Sequence, residues 1–399
     1  MATQVRHPIW LPVMREPGAR TFAGLYAIES FARALVASVI PIQAYELLQN
    51  EQQISLLYTA VSVCALGITL ALPLLIGVVP RRWVYSLGVC LLILGAAAFL
   101  TNSLSGQVIG MLARAGGAGA LAITLNLYIM DHIRKTEFVH AESLRMAWST
   151  FGWTLGPAAG VFIYTHFGLL AAHGLSVLCS VTLLILFWYF RLSENSAIRP
   201  GRAKPSNPLK NIRRFVSQPR LRLAWLIAFG RSCFWTTFFI YGPILMVVTG
   251  EGKLAGGLLV SAGNALLFTA LFWGWIARRA GTRLIMALAF AAMTVTLCLA
   301  GFTGEDHPLL TAAILLVCTF FTIALDALGS NAFFRAVKPR ERAEMTSIYR
   351  TYLDLSDLLP PLVYSIVLGF FNLGAIFVTL GIFCAICAAI TWRYMPKSM

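Results

Sequence analysis

The sequence predicts an all-α membrane protein of twelve transmembrane helices in two six-helix halves, and three observations carry that expectation. Of the 399 residues, 58% are hydrophobic and only 12% are charged, whereas soluble domains carry about 25% charged residues. Apolar windows of the roughly 20 residues that span a bilayer recur along the chain with short polar breaks. One longer break, rich in Pro, Ser, Asn and basic residues, divides those windows six and six. A soluble core stops growing at roughly 250 to 300 residues, so an apolar fraction this large requires lipid over much of the surface and excludes an ordinary soluble enzyme.

In chain order the expected spans are 21–44, 54–79, 83–101, 106–130, 145–165, 168–190, 222–248, 254–277, 284–303, 308–335, 346–370 and 373–394. They divide the chain into an N-terminal cytoplasmic segment (1–20), a first bundle (21–190), a basic cytoplasmic linker (191–221), a second bundle (222–394) and a tail (395–399). The first twenty residues hold three prolines and mixed charge, with no cleavable apolar leader, so the first span is expected to be retained.

Lys and Arg prefer cytoplasmic loops. With the N-terminus inside, 26 of the 31 bases fall in cytoplasmic segments, Lys253 alone lies in an outer loop, and Arg33, Arg114, Arg231 and Arg350 lie within spans. Both termini are therefore expected in the cytoplasm. The net charge of +15 is an orientation signal toward anionic lipid; nucleic-acid binders instead gather their bases on a polar, solvated face. The eight cysteines all sit in apolar runs, and Cys384-x-x-Cys387 reads as packing inside a span.

The halves show a weak internal repeat. Gly77, Arg81 and Arg82 after the second span are echoed by Gly274, Arg278 and Arg279 after the eighth, and Asn126 with Arg145 by Asn331 with Arg350. Parallel repeats of six helices occur in one large class of secondary transporter.

An ionisable side chain in hydrocarbon costs at least ~2.5 kcal/mol and asks for a reason. Glu29 and Arg33 share one helix face at i,i+4. Glu29 lies roughly 12 Å from one end of its helix and Arg114 roughly 12 Å from the opposite end of its own, which puts both near mid-bilayer. A static salt bridge between helices is the plain alternative to a functional role. In the second half, Arg231 lies on span seven, Asp326 on span ten, and Arg350, Asp354 and Asp357 form a stripe on span eleven. Two carboxylates at i,i+3 in low dielectric do not both ionise easily, so Asp354 and Asp357 are expected to share a proton and titrate as a unit. Arg350 can instead snorkel to the interface and pair with Asp354. Asp326 has no charged neighbour at helical spacing, so its partner is another helix, a proton or a substrate.

Asn264 and Asn331 are candidate cavity groups, although interhelical hydrogen bonds account for them equally well. Tyr26, one turn from Glu29, and Trp235, one turn from Arg231, suit an amphiphilic ligand, while aromatics are also common at membrane interfaces. His173 reads as packed. On span five, Gly152, Gly156 and Gly160 recur every four residues around Pro157, a groove for close helix approach with a permitted kink. There is no G-x-x-x-x-G-K-S/T phosphate loop, no G-x-S-x-G elbow and no H-E-x-x-H metal helix. Any work done by the protein then draws on an ion or substrate gradient.

These features resemble the major facilitator superfamily over nearly the whole chain. Gly152-x-x-x-Gly156-Pro157-x-x-Gly160 resembles the fifth-helix motif of its antiporter branch, and Arg114 with Gly116, Gly117 and Gly119 resembles its fourth-helix proton-coupling motif. Gly274 through Arg279, Gly281 and Arg283 resemble the loop motif that latches the cytoplasmic gate, with Gly77, Arg81 and Arg82 as a degenerate counterpart. Arg81 and Arg278 stand where that motif carries Asp, so the usual charge relay lacks its acid. The resemblance implies the major facilitator fold, a rocking cycle in which spans one, four, seven and ten line a cavity, and a multidrug-exporter-like pairing of an acid on span one with an arginine on span four.

The resulting expectation is a multi-pass transporter of a bacterial inner membrane, monomeric, with no enzymatic activity, cofactor or metal, whose partners are a small-molecule substrate, protons and lipid. Glu29, Arg114, Asp326, Asp354 and Asp357 are assigned to proton coupling; Tyr26, Arg33, Arg231, Trp235, Asn264 and Asn331 to the substrate cavity. Export of a small amphiphilic compound is the leading reading. Symport of an organic anion, motivated by Arg33, Arg114 and Arg231, and a non-transporting receptor or scaffold are the competitors.

Overall fold

The computed structural model describes residues 18–133, 138–190, 208–337 and 342–396, which contain helices and short turns and no strand. The first expected span is two helices, α1 (Ala19–Leu35) and α2 (Val39–Leu48). Pro41 explains the break, because its ring would clash with the carbonyl of Ala37 one turn earlier in a continuous helix. Asn50 caps α3 (Glu51–Val78) by accepting from the Gln53 N–H at 2.9 Å. Pro80 precedes α4 (Arg81–Phe99), and Ser103 caps α5 (Leu104–His132) through the Gly106 N–H at 3.1 Å. Spans five and six are one helix, α6 (Phe138–Tyr189), broken at Gly168, whose φ of 83° and ψ of 179° suit a residue without Cβ. That break lies where the sequence placed the turn.

The expected linker is partly helical. Residues 191–207 lie outside the described residues, and they are followed by α7 (Pro208–Val216) and by α8 (Pro219–Val248), which begins three residues earlier than expected with Pro219 in its first turn. Phe215 of α7 is buried against the second half. Span eight is α9 (Lys253–Ala265), a 3-10 turn (Leu266–Thr269) and α10 (Ala270–Ala280). Gly281, at φ 87°, turns the chain into α11 (Thr282–Thr303). Then come α12 (Pro308–Ala336), α13 (Arg342–Tyr349), α14 (Thr351–Val367) and α15 (Gly374–Tyr394).

Ten stretches among the described residues are long and apolar enough to cross a bilayer. The twelve expected spans reduce to ten because α6 carries two, and because span eleven is divided at Arg350 into α13 and the 17-residue α14.

The glycines of span five do what their spacing implies. α6 lies against α1, where a Cβ on Gly152 would stand 3.4 Å from the Phe31 nitrogen, one on Gly156 2.5 Å from Ala34 Cβ, and one on Gly160 inside the Leu35 carbonyl. The same helix meets the second half at Gly257, whose Cβ position is 3.0 Å from the Pro157 carbonyl oxygen.

Five polar contacts join helices α1–α6 to helices α8–α15 between mid-span and the loops that the sequence places outside. Glu46 pairs with Lys253. The Gln52 amide donates to Ser365 O at 3.0 Å, and Ser55 Oγ meets Tyr241 OH at 2.6 Å. The Ser62 hydroxyl donates to Asp357 O at 2.9 Å, and the Ala158 N–H to Ser261 Oγ at 2.9 Å. Ile54 of α3 is buried in the hydrophobic cluster of the second half, which tightens the same closed end.

Candidate functional site

A cavity of about 520 Å³ lies between the halves, within the range of about 300 to 1,000 Å³ typical of small-molecule sites. α1, α2, α3, α5 and α6 line one wall and α8 and α14 the other. Five of the residues singled out in the sequence are brought together there: Arg33, Arg114, Trp235, Asp354 and Asp357.

The helix break after α1 positions Arg114. A helix end leaves carbonyls without partners, and Arg114 Nη2 donates to the Arg33 carbonyl at 2.9 Å. Its positive charge there also complements the negative end of the helix dipole. Arg33 itself is held by Glu29, Nη1 to Oε1 at 3.2 Å, the i,i+4 contact read from the sequence. Glu29 is fully buried and its Oε2 has no hydrogen-bond partner. On the opposite wall Asp357 Oδ1 accepts from Thr236 Oγ1 at 2.9 Å. Arg350 is exposed at the α13–α14 break, and no ion pair joins it to Asp354 among the described residues.

Other expected cavity groups do not line this space. Asp326 finds its partner on another helix: Arg231 Nη1 lies 2.5 Å from Oδ1, and Trp235 Nε1 donates to Oδ2 at 3.0 Å. Arg231 Nη2 also reaches Tyr352 OH at 3.1 Å. Trp235 connects this pair to the cavity wall. Tyr26 lies beneath the Arg145 guanidinium, 4.5 Å from the ring centre, and Arg145 also donates to Asn126 Oδ1 at 2.9 Å and pairs with Glu142 at 2.6 Å. Asn264 is buried with Nδ2 on its own helix at Val260 O, 2.9 Å away. Asn331 falls on α12, with its side chain outside the described residues. His173 is packed as expected, stacked on Phe99 at 5.1 Å with Nε2 3.3 Å from Gln43 Oε1.

The loop-motif glycines make no close approach: a Cβ on Gly77 meets nothing within 4 Å, and one on Gly274 meets only Arg278 Nη1 at 3.9 Å. Arg82 lies over Trp83 and Arg279 over Trp275, at 5.9 and 4.0 Å, within their own helices. Arg283 donates to the Trp392 carbonyl, tying α11 to α15. Arg278 is exposed and Arg81 partly so.

Sequence reasoning missed Tyr58, Trp153, Thr236 and Phe239, which complete the walls. A signal for the first was present, since Ser55, Tyr58 or Thr59, and Ser62 repeat at helical spacing as a polar stripe on an apolar span. Trp153 and Phe239 meet edge to face across the halves at 5.5 Å, which no local pattern encodes.

No curated protein matches the sequence. Among solved structures, a POT family transporter in complex with 5-aminolevulinic acid superposes with a TM-score of 0.75 at 12% identity, covering 96% of each chain. The POT family transporter PepTSo gives 0.73 at 12% identity, covering 96% of this chain and 97% of that one. The nucleoside transporter NupG gives 0.71 at 12% identity, covering 94% and 99%. At such identities the likeness shows the fold. The sequence also matches the family described as Major Facilitator Superfamily over residues 22–356, and again over 255–398. With ten apolar membrane-length stretches, a cavity between two halves and a family match across most of its length, the chain belongs to the Major Facilitator Superfamily and is a secondary transporter, not an enzyme.

Proposed function

We propose that this transporter couples proton movement to export of a small amphiphilic organic compound from a bacterial cytoplasm. The observation that carries the reading is the pair of unpaired carboxylates, Asp354 and Asp357, one helical turn apart on the cavity wall. A proton and a substrate competing for one charge-sensitive site suffice for coupling. The closed end opposite the basic loops agrees with loading from the cytoplasm. Glu29, joined to the cavity through Arg33, and Arg114 belong to the same charge system, as does Asp326 through Trp235. The glycine–proline pattern of span five supports the export direction by its resemblance to antiporters.

Symport of an organic anion is favoured by one observation: Arg114 lines the cavity with no carboxylate within ion-pair distance among the described residues. Arg231 no longer counts toward it, being matched by Asp326. Inverted vesicles energised by a pH gradient separate the two. Accumulation of solute in them marks an exporter, and accumulation only in right-side-out vesicles marks a symporter. Full gradient-driven transport by both Glu29→Gln and Asp357→Asn would remove the proposed coupling groups.

A further inference from the structure

Of the eight ionisable side chains expected at bilayer depth, four cancel in pairs. Glu29 meets Arg33 at 3.2 Å and Asp326 meets Arg231 at 2.5 Å. Arg350 is exposed at the end of α14 and does not line the cavity. What remains on the cavity surface is Arg114 on the wall of the first half, and Asp354 and Asp357 on the wall of the second. None of these three forms an ion pair among the described residues. Arg114 uses one N–H on the Arg33 carbonyl, and Asp357 accepts one hydrogen bond from Thr236. The walls also carry Tyr58 and Trp153 on the first half and Phe239 on the second. The cavity is therefore polarised across the interface of the halves, positive on one face and negative on the other, with aromatic rings on both.

We propose that the transported solute is a zwitterion with an apolar, ring-bearing body, its anionic group on Arg114 and its cationic group on Asp354 and Asp357. This rests on the transport reading above and names the substrate class of that site. The physical reason is desolvation. When the cavity closes around its cargo, any charge left without a partner carries the full cost of burial. A singly charged solute matches one wall and strands the other, whereas a zwitterion matches both with one molecule. The two walls also belong to different halves, so a solute that spans them binds the closed arrangement better than the open one, which is the condition for driving closure.

The test uses the full chain in lipid nanodiscs and proteoliposomes, with two matched triads: phenylalanine, phenethylamine and 3-phenylpropionate; tryptophan, tryptamine and indole-3-propionate. In each triad the ring is retained and one charge is removed. Affinity is read from solute-dependent thermal stabilisation. The zwitterion of at least one triad is expected to bind about tenfold or more tightly than either singly charged partner, about 1.4 kcal/mol or more. Arg114→Gln is expected to reduce it to the affinity of the amine, and Asp354→Asn with Asp357→Asn to that of the carboxylate. Singly charged members that bind as tightly as the zwitterion overturn the proposal, as does absence of zwitterion binding in both triads; neither outcome depends on a variant folding. Flux separates this from the function. Proton-coupled flux of a singly charged solute, with zwitterions silent, leaves the transport reading and removes this one. Zwitterion binding without coupled flux of any solute removes the transport reading and leaves only the assignment of Arg114, Asp354 and Asp357 as a zwitterion-binding site.

Discussion

Glu46 on α2 and Lys253 at the start of α9 form an ion pair across the two halves of the molecule, and Tyr164 OH of α6 donates to the second oxygen of the same carboxylate. Lys253 is the base that the sequence isolates in the outer loops, and its Nζ also lies 4.7 Å from the centre of the Tyr164 ring. Both members of the pair are about one-third exposed, at 31% and 34%. A pair of that kind is worth about 0.2 to 1 kcal/mol, enough to tip a balanced two-state equilibrium by up to roughly fivefold.

Lys253→Glu places like charges across that closed end. The outward-open population is expected to rise several-fold, read as labelling of a cysteine placed at Tyr58 by an impermeant thiol reagent from outside, and Glu46→Lys in the same chain is expected to restore closure. Unchanged labelling in Lys253→Glu would show that the pair holds nothing.

Gly160→Ala is expected to lower thermal stability by about 1 to 3 kcal/mol or to abolish folded protein, because its methyl would enter the Leu35 carbonyl. Gly174→Ala and Gly77→Ala, with nothing within 4 Å of the added carbon, are expected to match the parent. Thermal unfolding in detergent compares the three.

Asp326 and Asp357 should separate on two measurements. Asp326→Asn leaves Arg231 without its charge partner and is expected to cost about 1.5 to 3 kcal/mol, the worth of a hydrogen bond to a charged group, since the pair is only about four-fifths buried, at 20% and 19% exposure. Asp357→Asn breaks no ion pair and is expected to keep stability within about 0.5 kcal/mol of the parent while losing proton-driven transport. Equal stability losses in the two variants would contradict the assignment.

Ser261→Ala removes the hydroxyl that accepts the Ala158 N–H beside Pro157. Because the donor belongs to one half and the acceptor to the other, the expected effect is on conformational balance, not on substrate affinity in the cytoplasm-facing state. Faster solvent exchange at Ala158, measured by hydrogen–deuterium exchange, with unchanged solute binding at equilibrium, is the outcome to look for.

The long-range organisation was legible because bilayer physics writes it locally. Hydrocarbon demands a run of apolar residues per crossing, and loop charge sets the expected orientation; both are properties of contiguous sequence. The glycine repeat of span five was equally readable, since close helix approach needs absent side chains at every fourth position, and α6 uses them against α1. The 3-10 turn at Leu266–Thr269 carried no such mark, with neither Gly nor Pro in it.

By itself the sequence determined the membrane class and the helical content, and it named the charged residues to follow. Beyond the i,i+4 pair of Glu29 and Arg33, only the tertiary structure decided which of them cancel and which face the cavity. Asp326 looked solitary because its partner, Arg231, lies 95 positions away. The spacing of four residues also allowed Arg350 to pair with Asp354, yet the break between α13 and α14 sets Arg350 at the exposed end. Helical spacing settles the Glu29–Arg33 pair within one helix, whereas Asp326 is compensated from another helix, because the cost of a buried charge selects the nearest opposite group irrespective of its place in the chain.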